Sequence, residues 1–206
     1  MDAVEAQPSY SNLDLARFPQ SAAIGHWDRV LSICRENWLL NVPITQMGGT
    51  VLHLAAYHKQ ETIFEQLLQQ LRPPGSPLAK VSLERKNDIG CTPLHLAVEA
   101  GSKKICRSII EFDTAESATL LCVRNDEGET PLFLAALHGH IDVFLYLHFK
   151  CHPGREHFNY CIRKNGDTIL HCAISEEHYG ELLLICLIIY DTMLVNKCNK
   201  TVDENW

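Results

Sequence analysis

Cys151, His152, His157 and Cys161 put two thiols and two imidazoles into one short stretch of the chain. Thiolate sulfur and imidazole nitrogen are the ligands that close a tetrahedral zinc site, so this stretch is the sharpest candidate for metal chemistry. The order Cys-His-x4-His-x3-Cys matches no common finger spacing, and an ordinary loop with incidental cysteines is the competing reading. A second set, His53, His95 and His171, recurs at one position of a repeated motif. Each belongs to a separate copy, too far from the others for shared coordination at about 2 Å per ligand. The expected role is an imidazole that hydrogen-bonds adjacent turns. Cys172 beside His171 supplies a nucleophile and a base on paper, yet adjacent residues on a helix point about 100° apart and cannot pair. The chain has no Gly-rich phosphate loop, paired-carboxylate motif or Ser–His–Asp context. The expectation is therefore no enzyme, no catalytic residue and no cofactor. Arg124, Arg163 and Lys164 form a candidate basic patch for phosphate or lipid, with solvated charge as the plainer account.

The bulk composition narrows the classes further. The chain has 206 residues, 46% hydrophobic and 21% charged, as a folded protein has. A formal net charge of −7 argues against a general affinity for nucleic acid or anionic membranes. The nine cysteines are odd in number, and several sit inside apolar helical patterns. With no secretory signal in residues 1–20, reduced thiols in the cytosol are expected. The longest apolar run, 182–190, falls short of the about 20 residues that cross a bilayer.

What must position these residues is a repeat. Gly48-Gly49-Thr50-Val51-Leu52-His53-Leu54-Ala55-Ala56 recurs as Gly90-Cys91-Thr92-Pro93-Leu94-His95-Leu96-Ala97-Val98. Further copies run from Gly128 to Ala136 and from Gly166 to Ile174, and the threonines lie 42, 38 and 38 residues apart. The glycines suit a turn with positive φ. Thr50, Thr92, Thr130 and Thr168 fit the N-cap, and Pro93 and Pro131 fit the first helical turn. Second helices are expected at 61–71, 103–112, 141–150 and 179–190, where apolar residues recur at helical spacing. Phe133 replaces the histidine in one copy, which should lose the bridge and gain packing. The surplus over the usual period of about 33 should lie in connecting loops, at 72–77 and 151–160. Residues 13–36, with Phe18 at the leucine position and Gly25-His26 behind it, read as a degenerate capping repeat.

The recurring Gly-x-Thr-Pro-Leu-His-x-Ala-Ala pattern resembles the ankyrin repeat, from about residue 13 to 190. The resemblance implies an all-α solenoid of helix-turn-helix units with short β-turn fingers. It implies a flexible segment 1–12, an array 13–190 with repeats starting near 46, 88, 126 and 164, and an irregular tail 191–206. The stretches 51–57, 127–139 and 165–174 are also similar to plant accelerated-cell-death-like ankyrin proteins with a PGG domain. That similarity implies a role in defence, cell-death or stress signalling. The group's membrane helices have no counterpart before Trp206, so a truncated or short form is expected, with an uncapped last helix prone to self-association.

By the same resemblance the chain is a non-catalytic protein-binding scaffold. The partner surface would comprise the turn tips Gln46, Met47, Asp88, Ile89, Asp126, Glu127, Lys164 and Asn165, with Glu129 and Asp167 just beyond the glycines. The first helices would add Tyr57, His58, Glu99, Leu137 and His138 on the concave face. Exposed Tyr57 and Leu137 are of the kind that anchor interfaces. Acidic tips in the middle suit a partner with basic groups. Two alternatives are a decoy fragment that pairs with membrane-bound relatives and a zinc-stabilised binding module. The expected location is the cytoplasm, with recruitment to the plasma membrane through relatives.

Overall fold

A computed structural model describes residues 25–34, 37–112, 117–151, 161–169 and 171. Among these residues nine α-helices stack in a single file: α1 (Trp27–Ile33), α2 (Val51–Tyr57), α3 (Glu61–Gln70), α4 (Pro77–Glu84), α5 (Pro93–Glu99), α6 (Lys103–Phe112), α7 (Ser117–Cys122), α8 (Pro131–Leu137) and α9 (Ile141–Lys150). A 3-10 turn, Asn37–Asn41, joins α1 to the first full repeat. The protein is an all-α repeat solenoid.

Each first helix is short because its two ends are fixed by chemistry. Thr50 and Thr92 are extended N-caps, each with a capping box to the histidine three residues on. Thr130 accepts from the Phe133 N–H at 3.2 Å. Pro93 and Pro131 open their helices at a position where a missing N–H costs nothing. The C-termini turn through a left-handed residue with paired backbone bonds. Gly139 N–H donates to Ala136 O and His140 N–H to Ala135 O, and Gly101 and Ser102 repeat the pattern on Val98 and Ala97.

One hydrophobic cluster runs from Trp27 to Ile169. First helices stack on first helices (α2 on α5, α5 on α8), and second on second (α3 on α6, α6 on α9). Ala55, Ala97 and Ala135 are fully buried between them, which lets the short helices approach closely. Phe64, Phe144, Leu67, Ile105 and Ile109 fill the second layer. No hairpin could bury these faces alone, so the stacking itself stabilises every copy.

The expected loop at 72–77 is a turn as far as Ser76, and the extra residues beyond it form a helix. After the turn at 73–76, Ser76 caps α4 by accepting from the Ala79 N–H at 3.2 Å, and Ala79, Ser82 and Leu83 are buried. Pro73 and Pro74 separate α3 from α4, and Pro77 sits in the first turn of α4. α7 fills the same place one repeat later, packing on α6 and α8. The stretches 1–24, 152–160 and 172–206, including the expected last helix, lie outside the described residues.

Candidate functional site

The fingers form one continuous edge of the stack. Each closes on itself across four residues, from Thr45, Asn87, Asn125 or Arg163. Asn87 N–H donates to Cys91 O at 2.9 Å while Asn87 Oδ1 accepts from Cys91 N–H at 2.8 Å. Asn125 does the same with Glu129, at 3.0 and 2.8 Å. The turn at Gly90 has φ 74°, and a Cβ there would stand 2.6 Å from Asp126 Oδ1 of the next finger. Glycine is therefore required twice, for backbone conformation and for the close approach of the neighbour.

Successive fingers are tied tip to tip by backbone hydrogen bonds. Asp88 N–H donates to Met47 O at 2.9 Å, Asp126 N–H to Ile89 O at 3.1 Å, and Lys164 N–H to Glu127 O at 3.1 Å. Lys86 Nζ donates to Arg124 O at 2.7 Å, and Lys164 Nζ to Asp126 O at 2.6 Å. The tips form one ordered row rather than four independent loops.

Beneath the row lie the histidines. His53 Nε2 contacts Cys91 O at 3.0 Å, and His95 Nε2 contacts Glu129 O at 3.3 Å. On the other side of each ring, Nδ1 faces the N-cap N–H, 3.1 Å from Thr50 N and 3.2 Å from Thr92 N. A carbonyl at Nε2 and an N–H at Nδ1 require the neutral tautomer with its proton on Nε2. Burial pushes both rings down to about 4, the effect of the backbone acceptors being smaller and opposite. The expected bridge between adjacent turns is thus present at both positions. His171 makes the same cap contact to Thr168 Oγ1 at 2.8 Å, on an exposed ring.

The third junction works differently. Phe133 is fully buried where the other repeats carry histidine. Arg124 makes the tie that Lys86 makes one repeat earlier, its Nη1 donating to Ile162 O at 2.7 Å and also to Gly128 O. Glu129 accepts from Asn125 Nδ2 at 2.8 Å and pairs with Arg163 at 3.4 Å. Arg163 Nη2 also pairs with Asp167 at 2.6 Å, and this hydrogen bond holds the Asp167 carboxyl below its ordinary range.

These contacts revise the expected partner surface. Glu129 is 6% exposed and committed inside the third junction, so it is a structural residue. Leu137 is half-buried against the core, because the last turn of α8 leans on the stack. Asp167 is occupied by Arg163 and by Asn165 Nδ2. Arg124, Arg163 and Lys164 each hold a carbonyl or a carboxylate, and so they form no free basic patch. Gln46, Met47, Tyr57, His58, Asp88, Ile89, Asp126, Glu127, His138, Lys164 and Asn165 are exposed, and Glu99 is half-buried. Met47 and Ile89 are 52% and 45% exposed on fingers joined to each other, and Tyr57 is 55% exposed with its ring edge-on to His58.

Of the zinc candidates, Cys151 and Cys161 are buried, and burial pushes both thiols up to about 12. His152 and His157 lie outside the described residues, as does Cys172. Among the described residues, no group of three or more His, Cys, Asp or Glu side chains is arranged to hold a metal ion. No described helix is long and apolar enough to cross a membrane.

The sequence pattern missed two features. The ties from Lys86 to the Arg124 carbonyl and from Arg124 to the Ile162 carbonyl could have been found from the shared 38-residue spacing of these basic residues. Lys59, at φ 53°, stands where the next two repeats have Gly101 and Gly139 at φ 73° and 67°. The Lys59-Gln60 pair in the Gly-His register was the available signal.

The family model for ankyrin repeats in three copies matches residues 75–157 and 123–201. NF-kappa-B inhibitor alpha of Rattus norvegicus is 27% identical over 161 residues, 76% of this chain and 47% of that protein. Tyrosine-protein kinase Shark of Drosophila melanogaster is 34% identical over 97 residues, and Neurogenic locus notch homolog protein 4 of Homo sapiens is 34% identical over 89. These cover 47% and 43% of this chain but only 9% and 4% of the relatives. This chain thus spans about half of the inhibitor and a small part of the other two. The helix pairs, the glycine fingers and the family match agree, and the chain belongs to the ankyrin-repeat family.

Proposed function

We propose that the chain is a non-catalytic scaffold that binds another protein across its finger tips and the adjoining ends of its first helices. The observation that carries this is the exposure of Met47 and Ile89 on neighbouring fingers held by the Asp88–Met47 backbone bond. A rigid, half-exposed apolar pair loses little conformational freedom on binding and so suits an interface anchor. Tyr57 adds an aromatic surface, and Asp88, Asp126 and Glu127 give the middle tips a negative rim. That rim favours a partner carrying basic groups beside an apolar patch. The likeness to a protein named as an inhibitor of NF-kappa-B supports regulation by holding a partner.

The finer reading, signalling in plant defence, cell death or stress, rests on the stretches 51–57, 127–139 and 165–174. The animal relatives named above lend it nothing. A place in the cytoplasm, recruitment to the plasma membrane, and self-association through the residues beyond 171 as a decoy belong to that same reading. Crosslinking with those residues blocked separates the decoy from the adaptor. A photo-crosslinker at Met47, introduced in the native cell, should capture a protein that Met47→Ser/Ile89→Ser no longer binds while its thermal unfolding is unchanged. Undiminished binding of that protein by the folded double variant sinks the reading.

A further inference from the structure

The three finger junctions are not built alike. At the first, His53 reaches from beneath one finger to Cys91 O of the next. At the second, His95 reaches Glu129 O, with Lys86 bonded to Arg124 O beside it. The third has no imidazole between its fingers, and Arg124, Arg163 and Lys164 hold it. The two histidine junctions carry the exposed apolar pair. The first sets Met47 beside Ile89 through the Asp88–Met47 backbone bond, and the second sets Ile89 beside Asp126.

Neither buried ring has a place for a second proton. His53 Nδ1 faces the Thr50 N–H at 3.1 Å, and the Thr50 hydroxyl, 2.9 Å away, already accepts from the His53 backbone N–H. His95 stands in the same relation to Thr92, at 3.2 and 2.8 Å. The surrounding groups do not favour a cation. Arg85 faces His53, while Lys86 and His53 face His95. Burial pushes the Cys91 thiol up, so it stays neutral. The Glu129 carboxylate is engaged by Asn125 and Arg163. A protonated ring gains its solvation only by leaving its seat, and leaving breaks the cap and the bond to the next finger together. Burial holds both rings at about 4 against an ordinary 6.5, so each junction loses closure as the pH falls through 6.5 toward 4.

We infer that the first two junctions form an acid-sensitive switch in the partner surface: protonation of His53 and His95 parts their fingers, separates Met47 from Ile89 and Ile89 from Asp126, and releases the protein held there, while the third junction stays closed. The release rests on the scaffold reading; the parting of the fingers does not. His171 does not extend the switch, because its ring is exposed and takes up water where it stands. The Asp167 carboxyl, held below its ordinary range by Arg163, stays charged through the same acid range.

The test is amide hydrogen exchange followed by NMR on the full chain at pH 7 and pH 5, corrected for the intrinsic rate. Protection of the Asp88 and Asp126 N–H groups, one in each histidine junction, should fall about twentyfold. That is the factor by which a ring titrating near 6.5 when released and near 4 when seated favours release at the lower pH. Protection of the Lys164 N–H, in the third junction, should be unchanged. In His53→Gln/His95→Gln the pH dependence at Asp88 and Asp126 should vanish. The protein captured at Met47 should leave the wild type at pH 5 and stay on that variant. Equal loss at all three junctions, or loss at none, overturns the inference. So does the same pH dependence in the variant, or retention of the captured protein by the wild type at pH 5. If no protein is captured at Met47, the scaffold reading fails alone and the exchange result decides the switch.

Discussion

Replacing His53 and His95 by glutamine should reverse the order of stability between wild type and variant as the pH falls from 7 to 5. In the native state both rings are buried, neutral, and unable to take a proton on Nδ1 without facing an N–H. Unfolded, they titrate near the ordinary 6.5; folded, near 4. A histidine whose folded value is depressed contributes stability that is complete above the unfolded value. The contribution is lost as the pH falls through 6.5 toward 4, because the unfolded chain then binds more protons. Between pH 7 and pH 5 the loss is about 2 kcal/mol per ring, so about 4 kcal/mol for both if the stack unfolds as a unit.

Glutamine three residues after a threonine cap completes a capping box without a titrating group. It cannot also reach Cys91 O or Glu129 O, so each substitution forfeits one inter-repeat hydrogen bond, at about 1 kcal/mol. At pH 7 the double variant should be less stable than wild type by about 2 kcal/mol, and at pH 5 more stable by a similar amount. Urea unfolding followed by far-ultraviolet circular dichroism at the two pH values measures both. Asp167, whose carboxyl lies below its ordinary value, loses its contribution only below pH 4 and does not enter this window. Parallel losses in the two proteins, with no crossing, would refute the assignment of acid sensitivity to these rings.

Lys59→Gly should raise stability by about 0.5–1 kcal/mol, since the left-handed turn then suits its residue; unchanged or lower stability in thermal unfolding would contradict the strain at this turn. Phe133→Ala should cost about 3–5 kcal/mol, because the side chain is fully buried; a loss below about 1 kcal/mol in urea unfolding would show that the site is loosely packed. In native protein, peptide mapping after brief alkylation should find Cys122 labelled well before Cys34 and Cys91. Cys122 is exposed, whereas burial holds the other two thiols up at about 12 and about 11; equal rates would contradict the described core.

Most of the fold could be read in advance because each signature residue performs a local task. A threonine caps, a proline starts, a glycine turns, and these act over three or four residues without knowledge of the rest of the chain. The helices at 103–112 and 141–150 follow directly from that logic and from apolar spacing. The extra helices escaped it. Residues 77–84 follow two prolines and a glycine, and their amphipathic content only makes sense once α5 and the 3-10 turn are there to cover Ala79 and Leu83. Local breakers mark where a helix can start as readily as where one must end.

The site was less legible for a related reason. Repeat position tells which residues face outward in an idealised copy, but not which neighbours reach over to claim them. Glu129 occupies a variable position, and only the arrival of Arg163 from 34 residues later, together with Asn125, buries it. Arg124 binds a carbonyl 38 residues on, as Lys86 does one repeat earlier. Side chains that tie one copy to the next in this way are engaged within the stack. At the first two junctions, where buried histidines make the ties, Met47 and Ile89 stay exposed at the tips, on the surface proposed for a partner.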